Sequence, residues 1–146
     1  GGGTHQLKGI EIYKGKPIFY SLGNFIFQNE YVKVLPPDFM EKHHFPETYT
    51  ASEGISARAA NATGVSMHAD KNNFRSVIPY FEMEDDECVK IELLPITLGQ
   101  DKTMNFKNIP YHADEKEARE IMDYLTRVSS TYGTKFELEE GKIVIK

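Results

Sequence analysis

One segment near the C-terminal end carries a clear helical period. Residues 114–117 read Asp-Glu-Lys-Glu, the spacing of a capping box with Asp in place of the usual Ser or Thr. The apolar residues that follow recur at steps of three and four, and they are Ala118, Ile121, Met122, Leu125 and Val128. Gly133 is placed to follow the end of the helix, and Ser129-Ser130 fit capping chemistry there. A chain with one such helix does not match a βαβαβ nucleotide-binding fold.

Three pairs of strand-like runs lie before and after this helix. Their turns are expected at residues 14–17, at the acidic residues 84–87 and at residues 140–141. Alternating runs on both sides of a short turn are typical of antiparallel hairpins. Pro79 and Pro95 predict edge positions or bulges, because proline cannot donate to a ladder. The expected fold class is therefore α+β, with antiparallel hairpins plus one main C-terminal helix.

The middle of the chain has a different composition. Residues 29–72 hold three of the five histidines and three of the seven prolines. Residues 38–42 predict at most one short helical turn, and residues 48–72 show no period. We expect 29–72 to be a long irregular loop inside a single domain of residues 1–146. Long connections of this kind are usually functional or mobile.

Composition excludes several classes of protein. The net charge of -5 disfavours binding to nucleic acid, since no basic surplus is available to release counterions. No stretch approaches the ~18 apolar residues of a transmembrane segment. The single Cys88 excludes an internal disulfide.

The residues alone supply no complete catalytic constellation. His5 follows three glycines and precedes a strand, but zinc needs three or four ligands. The adjacent pair His43-His44 is better explained as a solvated loop, because neighbours on a strand point to opposite faces. The acidic run 82–87 lacks the spacing of a calcium loop. No nucleophile elbow, phosphate loop or dinucleotide fingerprint is present.

The opening segment resembles the CapA family of bacterial capsule and poly-γ-glutamate synthesis proteins. In that family a Gly-His-x-Pro-His motif is followed by a glycine- and Glu-containing strand and then by Tyr-Ser-Leu-Gly-Asn-Phe. Here the same six residues stand at positions 20–25, after the strand that begins near Ile10. Residues 94–96 and 129–134 are also similar to the C-terminal portion of the family.

The resemblance implies a metal site of which this chain holds one part. The family is related to calcineurin-like metallophosphoesterases, so the chain is expected to resemble the C-terminal half of an αββα sandwich. The second motif histidine maps onto His5 as a metal ligand, the first onto Gly2 and the motif proline onto Thr4. Gly2 therefore either replaces a ligand or follows a truncation of the motif. Asn24 is a candidate to orient the His5 imidazole; the alternative is a turn residue that tolerates unusual backbone angles.

The resemblance also implies a function in the bacterial cell envelope. The chain would be the C-terminal part of a metal-dependent hydrolase or transferase of capsule or poly-γ-glutamate biosynthesis. Its cofactor would be a divalent metal (Mn, Fe, Zn or Mg), and the fragment would hold none and be inactive alone. The partners would be the missing N-terminal half or a second copy, since open sheet edges invite association. The substrate would be an anionic polymer or cell-wall material. The alternative is a non-catalytic polymer- or protein-binding module.

Overall fold

The computed structural model describes residues 2–28, 31–60 and 70–146. The strands are β1 (Ile10–Tyr13), β2 (Lys16–Phe19), β3 (Arg75–Glu84), β4 (Glu87–Thr97), β5 (Tyr111–His112), β6 (Phe136–Glu139) and β7 (Lys142–Ile145). The α-helices are α1 (Pro37–Lys42), α2 (Ala51–Ala60) and α3 (Glu115–Val128). Short 3₁₀ turns lie at Lys71–Phe74, Met104–Phe106 and Ser130–Tyr132.

The strands form two antiparallel sheets. β1 and β2 pair with each other, and the larger sheet has the order β3-β4-β7-β6, with β5 also paired to β4. The three predicted hairpins are present, and in each the two loop residues have positive φ: Lys14 and Gly15, Asp85 and Asp86, Glu140 and Gly141. Two positive φ angles in a two-residue loop match the twist of the flanking strands. The α+β class with antiparallel hairpins and one main C-terminal helix is confirmed.

Helix α3 covers one face of the larger sheet. Asp114 accepts from the N–H of Glu117, and the Glu117 carboxylate accepts in return from the N–H of Asp114, so the predicted capping box is formed. The predicted stripe faces the sheet, where the buried core is Leu7, Ile10, Val77, Ile91, Leu93, Ile121, Leu125 and Ile143. The N-terminal segment thus contributes Leu7 and Ile10 to the same core as the helix and the sheet.

The C-terminal end of α3 holds β1 in place. The buried Ser129 hydroxyl accepts from the N–H of Ile10 at 3.0 Å, and the Thr134 hydroxyl donates to the Ile10 carbonyl at 2.7 Å. Both polar groups of one backbone position are therefore satisfied by hydroxyls just beyond the helix. Of the two serines expected to cap α3, Ser130 donates to Arg127 within the turn, whereas Ser129 links the helix to β1.

The two strand prolines behave differently. Pro79 lies in β3, an edge strand, as expected. The expectation of an edge or bulge at Pro95 is wrong, because β4 is a central strand and its ladder is continuous there. The Pro95 carbonyl accepts from Ala113, on the side where β4 passes from its pairing with β7 to its pairing with β5. The missing N–H therefore faces the gap between the two pairings and costs no ladder bond.

The segment 29–72 is more regular than its composition predicts. α1 falls on the expected short helical turn, but α2 lies where an irregular loop was expected, so that expectation is wrong for residues 51–60. α2 consists largely of Ala, Ser and Gly and carries no apolar stripe. Gly54 lets it approach Leu35, since an added Cβ would lie 2.5 Å from the Leu35 Cδ1. Residues 29–30 and 61–69 of the segment lie outside the described residues.

None of the helices in the described ranges has the length and apolar character needed to cross a bilayer.

Candidate functional site

His5 is brought to Asn24 by a continuation of the first hairpin. Beyond β1 and β2 the two chain segments remain side by side, with a bridge between Leu7 and Leu22. The N–H of Lys8 donates to the Ser21 carbonyl at 3.0 Å in the same stretch. Because the two segments diverge only beyond this pairing, His5 in the segment before β1 and Asn24 in the segment after β2 lie next to each other.

The side chains of His5 and Asn24 are joined by a hydrogen bond. The His5 Nδ1 lies 2.9 Å from the Asn24 Oδ1. The Asn24 Nδ2 donates to two backbone carbonyls, that of His5 at 3.2 Å and that of Asn73 at 2.9 Å. Asn24 is buried, with 9% of its surface exposed, so all of its amide contacts are made inside the protein.

These contacts determine which nitrogen of His5 carries the proton. The carbonyls of His5 and Asn73 can only accept, so they must face the amide NH₂ of Asn24. The Asn24 Oδ1 then faces the imidazole and accepts from Nδ1–H. In the neutral ring Nε2 is therefore unprotonated, and within the described residues no hydrogen-bond partner is recorded for it. A bare Nε2 with a donating Nδ1–H is one of the two forms in which a neutral histidine binds metal ions.

The backbone at His5 is unusual for a residue with a side chain. His5 has φ of 58°, in the left-handed region, and its N–H donates to the Gly2 carbonyl at 3.1 Å. Such conformations persist where the surrounding structure imposes them, and they cluster at functional sites. The neighbouring turn places its own positive φ of 77° at Gly23, while Asn24 has no positive φ. The alternative explanation for Asn24, a tolerance of unusual backbone angles, is thus not what its conformation requires.

Gly23 allows the start of β3 to approach this turn. An added Cβ at Gly23 would lie 2.8 Å from the Arg75 carbonyl oxygen and 3.4 Å from the Leu7 nitrogen. The turn is therefore wedged between the segment before β1 and the first residue of β3. Glycine is needed here both for its φ and for the close backbone contact.

An apolar cluster also contacts the imidazole. The His5 and Phe27 ring centroids are 5.8 Å apart, and Phe27 contacts Phe74 edge-on at 6.1 Å. Phe27, Phe74 and Leu98 form a buried cluster separate from the main core. The half-buried imidazole thus contacts both an amide and an aromatic ring.

The Asn73 carbonyl is positioned by a short turn that also contacts the residue after His5. Asp70 caps the 3₁₀ turn Lys71–Phe74 by accepting from the Asn72 N–H at 2.9 Å. Its other carboxylate oxygen accepts from the Gln6 amide at 2.6 Å. The sequence analysis did not identify Asp70 or Asn73, because no local signal links them to a loop more than sixty residues away.

Ion pairs tie the same region to α3. Glu120 accepts from Arg75 and from Lys71, the latter at 3.1 Å. The hydrogen bonds from Arg75 and Lys71 lower the pKa of the Glu120 carboxyl to about 2. The beginning of β3 is therefore fixed to the helix as well as to the Gly23 turn.

The other residues weighed in the sequence do not join His5. The His43 ring packs against Phe39 at 4.7 Å and stacks on Phe45 at 5.4 Å, so it is not simply a solvated loop residue. Across residues 2–28, 31–60 and 70–146, no three His, Cys, Asp or Glu side chains are grouped closely enough to hold a metal ion. His5 fits a metal ligand by its orientation, and the described part of the chain supplies no set of donors to complete the site.

The match to a known protein family falls on this same segment. Residues 1–29 match the sequence profile described as "Bacterial capsule synthesis protein PGA_cap". This stretch contains His5, Gly23 and Asn24. The fold and site define an α+β chain whose N-terminal segment is similar to bacterial capsule synthesis proteins.

Two curated relatives are similar over nearly the whole chain. They are the "Uncharacterized protein y4sH" and the "Uncharacterized protein y4uA" of Sinorhizobium fredii (strain NBRC 101917 / NGR234). Each is 32% identical over 145 residues, covering 96% of this chain and 32% of the relative. The chain therefore spans about a third of the length of the curated relatives it matches.

Proposed function

We propose that this chain is the C-terminal part of a CapA-type protein of capsule or poly-γ-glutamate biosynthesis. In this proposal His5 supplies one nitrogen ligand, through Nε2, to a divalent metal centre whose other donors lie outside the described residues. The observation that carries the proposal is the Asn24 hydrogen bond, which keeps the proton on Nδ1. The match of residues 1–29 to a capsule synthesis family supports the same assignment.

The chain's own contribution to such a centre is orientation of the ligand. A hydrogen bond from the distal ring nitrogen fixes the tautomer and raises the basicity of a metal-binding imidazole. Asn24 accepts that bond, and the Phe27 ring packs against the imidazole with the ring centroids 5.8 Å apart. A bound Mn, Fe, Zn or Mg ion would supply polarisation of a phosphoryl oxygen and activation of water.

The activity proposed for the longer protein is metal-dependent phosphoesterase-like hydrolysis or transfer on an anionic polymer or cell-wall substrate of the envelope. The relatives are longer than this chain, which supports the proposal that the remaining metal ligands lie outside these 146 residues. The isolated chain is accordingly expected to be inert. The C-terminal half of a calcineurin-like sandwich remains the fold proposed for its place in the whole protein.

Hydrolysis of a chromogenic phosphodiester with added Mn²⁺ tests the proposal. The 146-residue chain should show no turnover, whereas the longer protein should show turnover that is lost on His5→Ala. His112→Ala is the matched control, because His112 is an exposed histidine in the two-residue strand β5. Turnover by the short chain, or turnover by the longer protein that survives His5→Ala, would overturn the proposal.

A second candidate is a non-catalytic polymer- or protein-binding module of the cell envelope. The observation that favours it is a cleft of about 650 Å³ beside α1 and α2, a size that suits a small ligand. Its walls include Val34, Met40, Phe45 and Tyr49. Calorimetric titration of the longer protein with Mn²⁺ separates the two candidates. Tight binding at two sites supports the enzyme, and no binding supports the module.

A further inference from the structure

We infer that Ser76 is a positioning residue for His5, acting through the turn at residues 22–24. The inference rests on the proposed function only where it concerns metal binding. Its structural part, that Ser76 determines the tautomer of His5, stands on contacts made by the chain itself.

Ser76 anchors the turn to the hairpin of β3 and β4, which has the longest strands of the larger sheet. Its hydroxyl donates to the Leu22 carbonyl across a short contact, and only 2% of the residue is exposed. Its backbone is paired with Ile96 of β4, so the hydroxyl is presented by a regular strand and not by a loop. The contact is part-buried, and a carbonyl removed from water is costly to leave without a donor.

The 3₁₀ turn and the first two residues of β3 contact each of the turn residues 22–24. The Asn73 carbonyl accepts from the Asn24 amide, the Arg75 carbonyl oxygen lies 2.8 Å from the position that a Cβ at Gly23 would take, and the Ser76 hydroxyl donates to the Leu22 carbonyl. The first two contacts use backbone atoms of β3 or of the 3₁₀ turn before it. Of these three contacts, the one made by Ser76 uses a side chain, so a single substitution can remove it.

Loss of the Ser76 hydroxyl should loosen the turn that carries Asn24. The Asn24 amide would no longer be held against both carbonyl partners, and its oxygen would no longer face Nδ1 of His5 at a fixed distance. The neutral ring would then populate the tautomer with the proton on Nε2, which has no lone pair there for a metal ion. Changes to a partner that orients a ligand typically cost about 10–100-fold in metal affinity.

The test is a long-range ¹H–¹⁵N correlation spectrum of the imidazole in the 146-residue chain, recorded with the ring neutral. Wild type should show the Nδ1–H tautomer of His5, and Ser76→Ala should show a mixture. Thr134→Val is the matched control, because Thr134 also donates a buried hydroxyl to a backbone carbonyl, that of Ile10. It should lower stability and leave the His5 tautomer unchanged.

Two further variants keep the inference testable. Ser76→Thr retains the hydroxyl and should restore the Nδ1–H tautomer, and Ser76→Cys offers a weaker donor of similar size if Ser76→Ala does not fold. A single Nδ1–H tautomer in folded Ser76→Ala, or in folded Ser76→Cys when only that variant is available, would overturn the inference. An equal shift in Thr134→Val would also overturn it, because general destabilisation would then be the cause.

Metal titration of the longer protein separates this inference from the proposed function. A tautomer shift in Ser76→Ala together with about 10–100-fold weaker Mn²⁺ binding supports both. A tautomer shift with unchanged Mn²⁺ binding supports the positioning role and contradicts the ligand role of His5.

Discussion

Asn24 determines the chemistry available at His5 because its amide has only one orientation that satisfies its neighbours. Two backbone carbonyls take the NH₂ group, so the oxygen is left for the imidazole. The orientation of the His5 imidazole is thus set by main-chain carbonyls and not by a second titratable group. This arrangement allows His5 to keep one tautomer without a carboxylate partner.

Removal of the Asn24 amide should be costly. Asn24→Ala removes a donor from the carbonyl of Asn73, which is buried, and from the carbonyl of His5, which is part-buried, so we expect the free energy of unfolding to fall by about 1–3 kcal/mol. Urea denaturation of the 146-residue chain measures the change. Asn105→Ala, an exposed asparagine in the turn Met104–Phe106, is the control and should stay within about 0.5 kcal/mol of wild type. Equal stability of the two variants would contradict the description of Asn24.

Substitutions at two glycines distinguish the loss of stability caused by a positive φ from the loss caused by a steric clash. Gly15 and Gly23 have φ of 74° and 77°, but an added Cβ meets nothing within 4 Å at Gly15 and lies 2.8 Å from the Arg75 oxygen at Gly23. Gly15→Ala should cost about 1–2 kcal/mol for its φ alone. Gly23→Ala should lower the free energy of unfolding by about 1–3 kcal/mol more than Gly15→Ala does, because the backbone must move to relieve the clash. Equal thermal or urea stability would show that β3 does not constrain the turn.

The sequence indicated part of this site and left the rest hidden. His5 and Asn24 follow from a short motif at the beginning of the chain, and each is close in sequence to the hairpin that brings them together. Asp70, Asn73 and Ser76 act from about fifty to sixty residues away, and their roles depend on a backbone approach that no local pattern encodes.

At the scale of elements, local signals explain which predictions are confirmed. The hairpins are specified by their two-residue loops, and α3 by its capping box and apolar stripe. α2 has no apolar stripe, but Thr50 and Glu53 form a capping box at its N-terminal end, a local signal that the sequence analysis did not use. Gly54 also packs α2 against Leu35. β5 has two residues and is defined only by its pairing with β4, so no periodicity could identify it.

The ion pairs between β3 and α3 should make stability depend on pH. The folded-state pKa of Glu120 is about 2, below its ordinary value of 4.5, because Arg75 and Lys71 hold the carboxylate. The ion pairs therefore contribute fully to the free energy of unfolding above about pH 4.5, and this contribution is lost as the pH falls towards 2. Glu120→Gln should flatten the dependence of the urea midpoint on pH in this window.

A second glutamate on α3 provides the control for this measurement. Glu115 pairs with Arg119 at 3.4 Å, and 83% of its side chain is exposed. Exposed pairs within one helix contribute little to stability. Glu115→Gln should keep the wild-type dependence on pH, and a wild-type dependence in Glu120→Gln would contradict the role of the Arg75 and Lys71 pairs.

At the scale of the whole molecule, self-association remains a prediction, and the structure indicates where it would occur. The edge strand β3 carries Pro79 and a register shift between Glu82 and Met83, features that disfavour pairing with another chain. The opposite edge, β6, has neither feature among its four residues. We expect a dimer by sedimentation at high concentration, weakened by Leu138→Pro in β6 more than by an exposed substitution in α3. A monomer at high concentration would contradict this prediction.

In the proposed function, Nε2 of His5 binds a metal ion whose other ligands lie outside this chain. A crystal structure of the longer protein grown with Mn²⁺ or Zn²⁺, with the metal located by anomalous scattering, tests it most directly. We predict a metal peak at bonding distance from Nε2, about 2.0–2.1 Å for zinc, with Nδ1 still donating to Asn24. An occupied metal centre that leaves Nε2 without a metal, or that binds through Nδ1, would contradict the account.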